Sequence, residues 1–323
     1  MPDPLLYLHA FVVVACVSVL TVLALGWRSR SPSQLLVSGI CVAGVAIGQV
    51  PGCFWLRLPI GWPPASALDR YLIILLPAAM VVELLAAFPT LSPWVAWALR
   101  SLLAASMAPV LLYRSVYLDE WTAWQATMAI AVCDALAVVV WLLLTRLAER
   151  SPGISLPLAL ALTIQGASVA IMLAGYIRGG AAAMVPAAAL LGASLACTLV
   201  AKQVPLTALV GFGVVSLCSL LFIGVFFGRL PIASALALLA APLLCWLTEI
   251  GSGCQRSPLV VGVIRLTIVA TVVMIVLLIA QRKFEREFRP LLLTSPSKAL
   301  LTLRTYGDMD PLPLTGYPSQ EAV

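Results

Sequence analysis

PLTALVGFGVVSLCSLLFIGVFF, residues 205–227, runs for twenty-three residues without a charged side chain. An α-helix rises 1.5 Å per residue, so about twenty apolar residues cross a hydrocarbon core roughly 30 Å thick. The stretch reads as a membrane span. Backbone N–H and C=O groups in lipid must be satisfied within the protein, and the run lacks the period-two alternation of a barrel strand, so the span is expected to be a helix.

Working outward from this run, the same criterion finds ten spans: 5–27, 34–55, 71–88, 94–113, 122–145, 154–177, 182–202, 205–227, 230–248 and 259–281. The expected class is an all-α integral membrane protein, a bundle of about ten transmembrane helices joined by short loops. Composition agrees, with 62% hydrophobic and 10% charged residues against roughly a quarter charged in soluble domains. Trp27, Trp55, Trp94, Trp97, Trp121, Trp124 and Trp246 fall near span ends, where amphipathic rings favour the headgroup level. Residues 1–281 are read as the transmembrane domain and 282–323 as a basic, largely disordered tail rich in Pro, Ser, Thr and Gly.

We call the side on which the first helix begins X and the other side Y. Ten crossings return the tail to X. Its Arg282, Lys283, Arg286, Arg289, Lys298 and Arg304 add to the X-side loops, and the positive-inside rule then places X in the cytoplasm. The expected location is the cell (inner) membrane with a cytoplasmic C-terminal tail. The net charge of +6 is scattered among loops without an aromatic-interleaved stripe, so no nucleic-acid partner is expected. The lipid bilayer is the expected partner, together with a small-molecule solute.

Eight cysteines without a C-x-x-C motif, and His9 as the only histidine, give no metal-ligand cluster; no metal or cofactor is expected. The GFG at 211–213 and the GSG at 251–253 lack the strand and the Lys-Ser/Thr of a nucleotide loop. Gly44, Gly48 and Gly52 repeat every fourth residue, a small-residue face suited to close helix packing. No nucleophile or acid/base set argues for an enzyme.

Chemistry therefore rests on the intramembrane charges. Glu83, Arg100, Asp134 and Arg265 are the four normally ionised side chains well inside these spans, and they sum to zero. Glu83 and Arg100 lie at matched depths, roughly 8–9 Å from the Y boundary, across the short PTLSP loop, which predicts an ion pair. Arg265 shares that layer, as a second candidate partner for Glu83 and as a partner for Asp134, which lies near the midplane. Two readings compete: fixed pairs, Glu83–Arg100 and Asp134–Arg265, that only orient helices, or a carboxylate, foremost Asp134, that faces a cavity and handles a proton or a cation. Gln49, Gln125 and Gln165, with Thr163 and Ser168, are candidate polar groups for that cavity. The functional expectation is a secondary transporter or permease for a small solute, with proton coupling through Asp134; the alternative is a non-transporting membrane scaffold or assembly partner.

Overall fold

The computed structural model describes residues 4–27, 33–58, 61–200, 206–250 and 258–293. The chain divides into two units, Met1–Ala280 and Gln281–Val323. Of the second, the described residues are helical through Leu293; the rest of the expected tail, like the loop residues Arg28, Arg30, Lys202, Cys254 and Arg256, lies outside the described residues.

Ten helical columns follow the ten hydrophobic runs. They are α1 (Pro4–Gly26), α2 (Gln34–Trp55), α3 (residues 67–86), α4 (Pro93–Leu112), α5 (Ala123–Arg150), α6 (Ser155–Leu173), α7 (Ile177–Val200), α8 (Thr207–Phe227), α9 (residues 232–250) and α10 (Pro258–Leu293). Nine helices among the described residues are individually long and apolar enough to cross a membrane. The further column, α3, is built of Ala67–Arg70, a π-helical turn Tyr71–Leu75 and Leu76–Ala86. Pro77 explains the interruption: it has no N–H to offer the carbonyl four residues back, and the wider π turn absorbs the mismatch. Pro242 stands at the start of a comparable change in α9, where Ala241–Trp246 tightens to 3-10 geometry.

Local signals set the helix starts. Ser33 and Ser92 cap α2 and α4 by accepting from Leu36 N and Val95 N. Capping boxes open α3 (Ser66 with Asp69) and α5 (Thr122 with Gln125), each satisfying backbone donors that have no partner within their own helix. At the other end of α6, Gly175 adopts a positive φ of 94°. That conformation lets Tyr176 N reach back to Ile171 O and turns the chain into α7 within three residues, the usual service of glycine just past a helix end.

α8, the stretch quoted first, is the central column. It packs against α2, α3, α4, α5, α6, α7 and α9, and its side chains are buried along almost the whole length. A second tight group comprises α1, α2 and α7. The Gly44/Gly48/Gly52 face of α2 receives Val22, Ser18 and Val14 of α1 in antiparallel order, so this small-residue face serves internal packing. α7 runs parallel to α1, with Gly192 against the Ala15 backbone and Val200 against Gly26. Between α2 and α7 the buried sulfurs of Cys41 and Cys197 approach to 3.2 Å. Apolar residues exposed in quantity on the outer faces, Val50, Leu102, Val132, Leu199 and Val263 among them, are what a bundle bathed in lipid presents.

Candidate functional site

The Glu83–Arg100 pair is bidentate. Arg100 Nε donates to Glu83 Oε1 at 2.9 Å and Nη2 to Oε2 at 2.7 Å, a fork geometry that suits guanidinium and carboxylate. Both groups are buried, with 1% of the Glu83 and 9% of the Arg100 side-chain surface accessible. Trp97 lies under the guanidinium at 5.1 Å, and the indole of Trp141 is placed beside the carboxylate. Room for the carboxylate comes from α8: a Cβ built on Gly211 would stand 1.9 Å from Glu83 Oε1.

That distance makes a prediction. Gly211→Ala should gain up to about 1 kcal/mol of helix propensity yet lose more by overpacking, typically 1–3 kcal/mol, for a net destabilisation of about 1–2 kcal/mol. Thermal unfolding of the purified protein checks it. The loss should disappear in a Glu83→Ala/Arg100→Met background, where no carboxylate occupies the space.

Arg265 does not meet Glu83 or Asp134, contrary to both expectations for it. It is 2% exposed and pairs with Glu249 on α9. Its remaining donors reach Thr248 Oγ1 at 2.9 Å, Ser151 Oγ at 3.1 Å and Ser155 Oγ at 3.2 Å, while Ser151 also donates to Glu249 Oε1 at 2.9 Å. This node joins the Y ends of α5, α6, α9 and α10. Glu249 escaped the sequence reading because it lies one residue past the expected end of its span. Six residues of 3-10 helix turn about 120° each instead of about 100°. The phase beyond Trp246 therefore shifts by roughly a third of a turn, and Thr248 and Glu249 come to face Arg265.

Arg70, at the end of the first helical segment of α3, is also buried. Its guanidinium donates to Ala65 O at 2.9 Å, Leu111 O at 3.3 Å and Tyr113 O, answering carbonyls that the end of α4 leaves open. None of the candidate polar groups lines the space around Asp134. Gln49 bonds to Val45 O within α2, Gln125 serves the α5 capping box, and Gln165 is half-buried on α6 with Oε1 unpaired. Thr163 and Ser168 donate to backbone carbonyls. The T-x-x-Q spelling at 122–125 could have revealed the role of Gln125 beforehand.

With Glu249 engaged, the balance of buried charge changes. Asp134 has no salt-bridge partner among the described residues. It lines an apolar groove of about 520 Å³ between α4, α5, α8 and α9, with Met107, Met128, Phe222, Phe226 and Leu236 on the walls. α5 and α9 run in the same direction. Near Y they touch, through Trp246 Nε1 to Leu143 O at 3.2 Å and Arg150 over the Trp246 ring at 5.3 Å. Toward X the groove lies between them, with Asp134 among its lining residues.

An aromatic group stands at the X end of the groove. Tyr117, on the short helix Val116–Glu120, donates its hydroxyl to Phe226 O. Its ring meets Trp121 at 5.6 Å and Phe226 at 5.8 Å, and Phe222 meets Phe226 at 4.4 Å. Comparison of the chain with family models, with curated proteins and with solved structures finds no match.

Proposed function

We propose that the protein is a secondary transporter of a small solute, in which Asp134 carries the exchangeable proton or the charge contact on which coupling depends. The observation that supports this reading is a carboxylate, without a salt-bridge partner among the described residues, on the wall of an apolar groove. An acid near the bilayer midplane is costly, and one without a fixed counter-ion is retained where it has a use. Glu83 and Arg265 have satisfied partners and act as helix-orienting pins. The protein resides in the inner membrane with X facing the cytoplasm.

The test is an unbiased metabolite comparison between sealed vesicles containing the wild type, Asp134→Asn or no protein. The wild type should build or dissipate a solute gradient that the variant does not, and the proton dependence of that gradient should vanish with the carboxylate. Because no cation is stranded by the change, Asp134→Asn should unfold within about 0.5 kcal/mol of the wild type. Identical metabolite profiles in all three preparations would favour a scaffold that only organises its neighbours.

A further inference from the structure

The walls of the groove restrict what could occupy it. Apart from Asp134 they are Met, Leu, Val, Ile, Ala, Cys and Phe side chains. A sugar or an amino acid would leave hydroxyl, ammonium or carboxylate groups unpaired against them, and each unpaired polar group is expensive. A dianion would in addition meet a carboxylate with no basic residue on the wall. An apolar body bearing one positive charge leaves nothing unpaired.

Three further features agree with such a ligand. Ring faces attract cations, and Phe222 and Phe226 line the groove beside Tyr117 and Trp121. The thioethers of Met107 and Met128 adapt to irregular apolar shapes. The rim is open on the outside of the bundle: Met128 is 41% exposed, Val132 56% and Leu236 48%, all apolar and all on α5 or α9. A lipophilic solute dissolved in the bilayer would meet this rim directly. The volume is within the roughly 300–1,000 Å³ usual for small-ligand sites.

We propose that the groove binds a lipophilic monovalent cation, entering from the bilayer between the X halves of α5 and α9 and pairing with Asp134 on the α5 wall. Binding stands on the groove alone; movement of the ligand across the membrane rests on the transporter reading above.

The probe is radiolabelled tetraphenylphosphonium, with tetraphenylborate as an anion of matched shape, measured as saturable binding to the full chain in lipid nanodiscs. Saturable binding of the cation alone is expected. Asp134→Asn should weaken it by about tenfold or more, as loss of a desolvated charge partner does, and Asp134→Glu should retain it. Ala129→Trp, which fills the groove and keeps the charge, should also weaken it, so the inference remains falsifiable if one variant folds poorly. Absence of saturable cation binding, equal binding of the borate as in a cleft for acyl chains, or binding indifferent to Asp134→Asn would each overturn it. Saturable binding without protein-dependent flux in proteoliposomes supports the ligand class and overturns transport. An Asp134-dependent metabolite gradient without phosphonium binding does the reverse.

Discussion

Arg100→Met is expected to lower the unfolding free energy by about 3–5 kcal/mol. The reason is the state of Glu83 left behind: 1% exposed, with its two oxygens bonded to Arg100 and no other cation paired to it among the described residues. Glu83→Leu should cost a similar amount by stranding the guanidinium. The double variant Glu83→Leu/Arg100→Met should recover most of the loss, because well-packed apolar residues replace buried ion pairs at little cost or with gain. Thermal unfolding of all four proteins closes the cycle. Simple additivity of the two losses would show that neither group depends on the other, and would remove the pair from the account of the fold.

Gly192→Val should cost about 3 kcal/mol, the upper end of overpacking penalties, and reduce the yield of folded protein. A Cβ there would stand 2.3 Å from Ala15 O and 3.0 Å from Ala15 C and Cα. These are backbone atoms and cannot rotate away. α1 would have to retreat from α7, yet its other face is seated on Gly44, Gly48 and Gly52 of α2. Gly39 is the internal control: its built Cβ meets only Leu84 Cδ1, at 3.9 Å, so Gly39→Ala should be neutral or slightly stabilising. Unfolding midpoints and gel-filtration profiles of the two variants provide the comparison. Equal stability of the two would mean that the α1–α7 approach is looser than the structure shows.

The class of fold was legible because hydrophobic length is a strong signal; the helix ends were less so, since α5 runs to Arg150 and α7 begins at Ile177, beyond the apolar runs that announced them. The Glu83–Arg100 pair was legible for the same reason: a five-residue loop and equal depth on both sides leave few alternatives. Glu249 was not legible, because depth counted along an ideal helix takes no account of the change of winding at Pro242. Asp134 was expected among polar neighbours; it lies instead on an otherwise apolar groove. Of the glutamines expected around it, Gln125 is spent on a cap and Gln49 on a backbone contact, Gln165 is not among the groove-lining residues, and the groove is made of residues that any lipid-facing stripe also contains. Periodicity cannot distinguish a wall turned toward a cleft from one turned toward acyl chains. The aromatic group depends on the short helix Val116–Glu120, which lies between two of the expected spans and is too short to show a period of its own.

The contacts of Trp246 and Arg150 near Y also have a mechanical meaning. They join α5 and α9 at one end like the limbs of a clip. Fifteen residues separate Leu143 from Met128, a lever arm of about 22 Å. Swinging either limb by about 5° around the joined end moves its tip by about 2 Å, more than the length of a carbon–carbon bond, while side chains at the joint shift by a small fraction of that. The gap could therefore widen or narrow through angular motion alone, without unwinding a helix or separating either arginine from its carboxylate.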